Sequence, residues 1–183
     1  MANISPTLED HEIAELAACK VVAVRFNLKR GGTEQLKSME YLSNRLFEEF
    51  GWHTELYVDS RELQPLKTTL QGLPKFSIDH LGLSKSGLQD LFFWVGQGAK
   101  VKATGFGRVD FNPMEVMRNI YEINPESLMF GTDLPSTRSA KPFSLDDIRL
   151  IQDHFDLDEQ ERIFFKNAWN WYRGDSSTSD EHA

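Results

Sequence analysis

The stretch Val21-Val-Ala-Val-Arg-Phe26 is the first of five short apolar runs that are rich in β-branched and aromatic residues. The other four are residues 52–58, 76–78, 101–104 and 128–130. The first residues of successive runs are separated by 31, 24, 25 and 27 positions, the length of one strand, one helix and two loops. Because no two-residue hairpin turn joins these runs, we expect parallel strands connected by helical crossovers.

The segments between the runs carry helix signals. Residues 34–50 place apolar side chains at helical spacing, and Asn112-Pro113 is typical of an N-cap followed by proline at the first helical position. Capping boxes are predicted at Thr7-Leu-Glu-Asp10 and Ser144-Leu-Asp-Asp147. Further helices are predicted at residues 60–70, 86–98 and about 159–173. The predicted class is α/β, with an N-terminal helix, five parallel βα units and an extra C-terminal helix.

This order of elements is that of a partial TIM (β/α)8 barrel. A complete barrel has eight βα units and usually about 250 residues, whereas this chain has 183. We therefore expect a domain at residues 1–173 that lacks the first strands of the barrel, followed by a disordered acidic tail at residues 174–183. Such a barrel would leave two open sheet edges, so we also expect self-association through those edges.

The composition excludes several classes of partner. The chain has 28 acidic and 20 basic side chains, a net charge of −8 and a pI near 5.1, which argue against nucleic acid and against anionic membrane surfaces. No apolar run approaches the roughly 18 residues of a membrane span, and residues 1–10 lack the features of a signal peptide. Cys19 is the only cysteine and cannot form an internal disulfide, so we expect a cytoplasmic protein.

The residues that follow the apolar runs carry the candidate chemistry, because parallel α/β folds bind ligands at the carboxyl ends of their strands. His80 follows the third run and Asp133 follows the fifth. A histidine can polarise a carbonyl or transfer a proton, and an aspartate can accept a proton from water. Structural roles stay open, with His80 capping a strand end and Asp133 forming an N-cap or Asx turn before Pro135. Their pairing at one edge of the sheet favours catalytic roles.

Four cations also lie at strand ends: Arg25, Lys29, Arg30 and Arg108. Arginine suits bidentate recognition of carboxylate or phosphate, whereas a surface salt bridge is the simpler interpretation for Lys29. Arg25 stands inside a strand, where a charge is costly unless it faces a polar pocket or a charged partner. We expect that Arg25 faces a polar pocket.

Two cofactor motifs are incomplete. A dinucleotide fingerprint beginning at Gly105 would need glycine at position 110, where this chain has Asp110. The five histidines form neither H-x-H nor H-E-x-x-H, and one cysteine cannot build a zinc knuckle.

Several segments together resemble the amidohydrolase-related (amidohydrolase 2) family of TIM-barrel hydrolases. They are Val24-Arg-Phe-Asn27, Ile78-Asp-His-Leu-Gly82, Val101-Lys-Ala-Thr-Gly-Phe-Gly-Arg108, Met129-Phe-Gly-Thr-Asp-Leu-Pro135 and Asn167-Ala-Trp-Asn-Trp-Tyr-Arg173. Within the family the resemblance is greatest to the branch that contains 2-pyrone-4,6-dicarboxylate hydrolase, a lactonase. It covers about residues 13–173 and corresponds to the C-terminal five βα units of the barrel.

The resemblance implies roles for the strand-end residues. Asp133 would activate the attacking water, and His80 would help to polarise the scissile carbonyl. Substrate-binding roles are implied for Arg25, Arg30, Tyr57 and Arg108. Tyr57 stands where metal-dependent relatives have a ligand histidine, so the resemblance implies no metal cofactor, with a divalent metal such as zinc as the alternative. The implied reaction is hydrolysis of a lactone or similar cyclic ester, and the implied partner is a small carboxylic acid or lactone.

The sequence departs from the lactonase pattern at two places. Leu83 stands where that pattern has an arginine, and a leucine cannot bind a carboxylate. The H-x-H of the family's first strand is absent. Two other functions stay open: a catalytically inactive truncated member that acts as an assembly or interaction fragment, and a decarboxylase of the same family.

Overall fold

One parallel sheet organises the molecule. The computed structural model describes residues 1–29, 32–137 and 139–173, apart from the side chains of residues 32–35, so Arg30 and the predicted tail at 174–183 lie outside the described residues. The sheet contains five parallel strands in chain order. They are β1 (Ala23–Asn27), β2 (His53–Tyr57), β3 (Phe76–Ile78), β4 (Lys100–Ala103) and β5 (Leu128–Phe130). The predicted class, five parallel βα units of a partial TIM barrel, is confirmed.

Helices precede, separate and follow the strands. They are α1 (Asp10–Ala18), α2 (Gly32–Phe50), α3 (Lys67–Gln71), α4 (Leu88–Gly96), α5 (Pro113–Ile123), α6 (Leu145–Gln152), α7 (Leu157–Glu161) and α8 (Asn167–Arg173). A π-helical turn at Arg162–Lys166 joins α7 to α8, so the predicted last helix is continuous in space. No helix in the described ranges is both long enough and apolar enough to cross a membrane.

The predicted helix starts are correct at two of three places. Asn112 caps α5 by accepting a hydrogen bond from the Met114 N–H, and Ser144 forms a capping box at α6. The predicted box at Thr7 is wrong, because α1 begins at Asp10 with Glu9 as its N-cap. Thr7 instead donates its backbone N–H to the Ser5 side chain within a turn.

The predicted helix at residues 60–70 is also wrong in part. A 3-10 turn at Ser60–Glu62 is followed by the short helix α3. Pro65 lies between them, and proline both lacks an N–H and disfavours helical geometry in the preceding residue.

The two faces of the sheet differ in polarity because successive strand residues point to opposite sides. Val24, Leu56, Ile78 and Val101 belong to the buried apolar core, which they share with the helices. On the opposite, inner face, Arg25 is in register with Glu55. The inner face therefore carries charges where a closed barrel has layers of bulky apolar side chains.

Helix α8 ends against this inner face. The Tyr172 hydroxyl donates to Glu55 Oε1 at 2.8 Å, and the Trp171 ring lies 4.8 Å from the ring of His53, between centroids. Lys75 Nζ lies 4.3 Å from the centroid of Trp171. The aromatic end of α8 thus closes the amino-terminal end of the inner face and leaves the carboxyl end for the strand-end residues.

Both edges of the sheet have backbone or side-chain partners. Ala2 forms a parallel bridge with Val24, donating its N–H to Ala23 O and accepting from Arg25 N. At the other edge, Asn167 Nδ2 donates to the carbonyl oxygens of Pro125 and Leu128, each at 2.8 Å. Unpaired edge groups are the features through which sheets associate, and these contacts occupy some of them.

Candidate active site

His80 and Asp133 meet at the carboxyl end of the sheet, as the sequence predicts. His80 opens a 3-10 turn directly after β3, and Asp133 follows β5. His80 Nε2 lies 4.0 Å from Asp133 Oδ1. Both residues have a left-handed backbone, with φ of 51° and 57°. A non-glycine residue in this region costs about 1–3 kcal/mol, and such residues cluster at active sites and ligand-binding sites.

Arg108 is the direct partner of Asp133. Its Nε donates to Asp133 Oδ2 at 2.7 Å, and its Nη2 donates to the carbonyl oxygen of Thr137 at 3.0 Å. Arg108 lies in a 3-10 turn after β4, so the ends of β3, β4 and β5 supply the three charged or titratable groups of this centre. The pairing leaves Oδ1 of Asp133 on the side of His80.

Gly105 is the residue that lets these three side chains converge. It has a φ of +59°, and a Cβ built on it would lie 2.9 Å from Arg108 Cδ, 2.9 Å from His80 Nδ1 and 3.0 Å from Asp133 Oδ2. Contacts under 3.0 Å essentially do not occur for a real Cβ. Any other residue would displace at least one member of the centre.

The imidazole of His80 is buried between Tyr57 and Thr104. Tyr57 contacts it edge-on with ring centroids 5.4 Å apart, and Thr104 Oγ1 lies 2.8 Å from Nδ1. Burial lowers the pKa of His80 below its usual value; the charges of Asp79 and Asp133 oppose this shift, and those of Arg108 and Arg25 add to it. The ring is therefore neutral near pH 7 and can donate from one nitrogen.

Arg25 lies beside the pair of His80 and Asp133 and belongs to β1 itself, not to a segment after a strand. Its guanidinium forms a salt bridge with Asp79 and lies 5.9 Å from the ring centroid of Tyr57. About a third of its side chain (31%) stays exposed. The structure thus places Arg25 and Tyr57 next to the centre, while Arg30 lies outside the described residues and its place is untested.

A buried ionic network below the centre is the main feature that the sequence did not predict. Lys102 Nζ lies 2.6 Å from Glu55 Oε2 and 3.5 Å from Asp79 Oδ1, and Glu55 is fully buried. Burial by itself would raise the pKa of Glu55, but contacts with His53, Lys102 and Tyr172 lower it to about 2. The available signal was the charge of Glu55 and of Lys102 inside two predicted strands, at positions that point to the inner face.

A second ionic cluster lies beside the centre, around Asp59. This carboxylate accepts hydrogen bonds from Lys29 at 2.6 Å, from Ser84 at 2.9 Å and from the guanidinium of Arg61. Burial opposes ionisation, yet these donors lower the pKa of Asp59. Lys29 thus forms a salt bridge with Asp59, which agrees with the salt-bridge interpretation of this residue in the sequence.

A cavity lies between the Asp59 cluster and the side of the centre formed by Tyr57 and Arg108. A cleft of about 370 Å³ is lined by Tyr57 and Arg108 on one side and by Lys29, Asp59 and Arg61 on the other. Its connection to the centre is Arg108, which lines the cleft and also bonds to Asp133. Among the described residues, His80 and Asp133 themselves do not line it. A larger groove of about 600 Å³ lies between α1 and α2, and none of the predicted site residues that the structure describes lines it.

The centre does not have the donor set of a zinc site. Structural and catalytic zinc sites use three or four protein ligands, and no group of three or more histidine, cysteine, aspartate or glutamate side chains comes together in the part of the chain that the structure describes. Of the two metal-ligating side chains at the centre, Asp133 is bonded to Arg108. The described residues of the centre therefore do not fit a zinc ion, and the expectation of no cofactor stays a prediction.

Comparisons with solved structures agree with the fold. A protein from Acinetobacter baumannii, described as a probable 2-pyrone-4,6-dicarboxylic acid hydrolase with citric acid bound, matches at 23% identity and a TM-score of 0.75, over 94% of this chain and 72% of that chain. A Pseudomonas putida protein described as a putative hydrolase of the same acid matches at 20% identity and a TM-score of 0.74, over 94% and 70%. An Agrobacterium tumefaciens protein in its apo form matches at 16% identity and a TM-score of 0.75, over 94% and 69%.

The family is established by sequence. No curated protein matches this chain, but the amidohydrolase family model matches residues 3–174. This match includes every candidate site residue and each strand of the sheet. The chain belongs to the amidohydrolase family.

Proposed function

We propose that this chain hydrolyses a lactone or similar cyclic ester of a small carboxylic acid. The observation that supports the proposal most is the convergence of Asp133, His80 and Arg108 at the ends of three neighbouring strands. Two similar structures are described as a probable and a putative 2-pyrone-4,6-dicarboxylic acid hydrolase, and one of them has citric acid bound; both facts support the same class of substrate.

In the proposed reaction, Asp133 acts on the attacking water and His80 acts on the carbonyl group of the substrate. The 4.0 Å between His80 Nε2 and Asp133 Oδ1 is too long for a hydrogen bond, so neither atom is bonded to the other and each can act on a different oxygen atom. Asp133 accepts a proton from water while the water oxygen bonds to the carbonyl carbon. His80 Nε2–H donates to the carbonyl oxygen as negative charge develops there.

The tetrahedral intermediate then opens the ring. The bond between the carbonyl carbon and the ring oxygen breaks, and the ring oxygen takes the proton that Asp133 received from water. The product is a hydroxy acid, and both side chains return to their starting protonation states. Asp133 therefore acts first as general base and then as general acid.

Arg108 and Arg25 are proposed to bind the acid groups of the substrate. Arg108 uses Nε and Nη2 for Asp133 and Thr137, so the Nη1 side of its guanidinium takes no part in these two bonds. A substrate carboxylate in the 370 Å³ cleft would reach this side. Arg25 lies across Tyr57 from it and would meet a second acid group. Leu83 also lines the cleft, so one wall offers no charge to a further carboxylate.

The test is hydrolysis of a panel of lactone carboxylates, including 2-pyrone-4,6-dicarboxylate. Asp133→Asn and His80→Ala should each lower kcat/KM by about 10²–10⁴-fold, the usual contribution of a general base or carbonyl donor. Asp153→Asn, an exposed carboxylate at the end of α6, is the matched control and should keep full activity. Unchanged activity in Asp133→Asn would remove Asp133 from its role. Carboxylate binding without turnover would favour the non-catalytic alternative.

A further inference from the structure

The threonine that contacts His80 has a constrained side chain. Thr104 follows β4 directly, and its Oγ1 lies 2.8 Å from His80 Nδ1. A Cβ on Gly131 would lie 2.9 Å from Thr104 Cγ2, so this methyl group packs against the backbone of the neighbouring strand end. Since a β-branched side chain has few χ1 rotamers, this packing directs the hydroxyl at the imidazole.

The surroundings of the imidazole select one of its two neutral forms. A neutral histidine carries its single proton on either Nδ1 or Nε2, and the partner of the other nitrogen decides which. Nε2 faces the carboxylate of Asp133, which can only accept hydrogen bonds when it is ionised. A threonine hydroxyl can donate or accept. The arrangement in which all three groups are compatible has the proton on Nε2 and the Thr104 hydroxyl donating to Nδ1.

We propose that Thr104 is a positioning residue that holds His80 with its Nε2–H directed at the reacting centre. This role rests on the proposed function, in which His80 donates to the carbonyl oxygen. It also separates the tasks of the two catalytic candidates: a histidine held this way has no lone pair at the centre, so Asp133 is left as the base.

The test compares Thr104→Val, which removes the hydroxyl and keeps the shape, with Thr104→Ser, which keeps the hydroxyl. The ¹⁵N shifts of the His80 ring report which nitrogen carries the proton and whether the other accepts a hydrogen bond. In the unmodified chain we expect a protonated Nε2 and a hydrogen-bonded Nδ1. Thr104→Val should move the Nδ1 signal toward that of an unbonded nitrogen, and Thr104→Ser should restore it. Thr68→Val, on the exposed surface of α3, should leave both signals unchanged.

Kinetics give a second, separate readout. We expect Thr104→Val to lower kcat by about three- to tenfold, the effect of one hydrogen bond, with little change in KM and recovery in Thr104→Ser. A proton on Nδ1 in the unmodified chain would overturn the proposal, as would ring shifts that do not respond to Thr104→Val. If no lactone is hydrolysed, the proposed function fails, but the ring shifts of the unmodified chain still decide the role of Thr104 and need no variant that might not fold.

Discussion

Glu55→Gln tests the energetics of the buried network. Glu55 is fully buried, and its pKa is lowered from an ordinary 4.5 to about 2. At about 1.36 kcal/mol for each tenfold change in proton affinity, ionised Glu55 stabilises the fold by about 3 kcal/mol near pH 7. Because the folded-state pKa is the lower one, this stabilisation is complete above about pH 5 and is lost as the pH falls toward 2. The glutamine side chain of the variant would keep an acceptor for Tyr172 but would carry no charge for Lys102.

The assay is urea denaturation of both proteins between pH 7 and pH 3. The difference in the free energy of unfolding between the unmodified chain and Glu55→Gln should shrink by about 2 kcal/mol over this range, since most of the linkage is lost by pH 3. Glu122→Gln, an exposed glutamate on α5, is the control and should follow the unmodified chain at every pH. Curves for Glu55→Gln and the unmodified chain that run parallel would refute the reasoning.

Three further predictions address the site, the sheet edge and assembly. Gly105→Ala should abolish measurable hydrolysis because its methyl group would displace the centre. Gly51 has a similar φ of +67° and nothing within 4 Å of a built Cβ, so Gly51→Ala should lower the free energy of unfolding in urea by only about 1 kcal/mol, the cost of the backbone conformation. Asn167→Ala should lower the free energy of unfolding by about 1–3 kcal/mol because two carbonyl groups lose their donor, while Asn170→Ala on the exposed side of α8 should change it little. The chain should elute above its 21.0 kDa monomer mass in size-exclusion chromatography if its sheet edges associate; a single monomeric peak at all concentrations would contradict that.

Most of the fold is encoded in the spacing of apolar runs. Regular intervals between β-branched runs, with no hairpin turns, allow few arrangements other than parallel strands and crossovers, and the observed sheet has that order. The exact ends of helices were harder to predict because they depend on which of several nearby hydrogen bonds the backbone forms. Thr7 fits an N-cap, but its backbone N–H bonds to the Ser5 side chain within a turn, and the helix begins at Asp10.

The sequence predicted the candidate site only to the extent that the positions of the strand ends determine which residues meet there. The rule that ligands bind at the carboxyl ends of parallel strands brought His80 and Asp133 together correctly in space. It could not indicate that Arg108 would bond directly to Asp133, because that contact depends on the turn at Gly105. Nor could it indicate that Arg25 would form a salt bridge with Asp79, the residue directly before His80.

The charges on the inner face form one connected network of ion pairs that leads to the candidate site. Glu55 and Lys102 are buried on the inner face, where an unpaired charge is costly, and their ion pair links β2 to β4 across β3. Asp79 is the common partner of Lys102 and Arg25, and it directly precedes His80. The network thus anchors the backbone just before the strained turn that carries the imidazole. The residues that this turn carries beyond the network are those for which we propose roles in binding and hydrolysis.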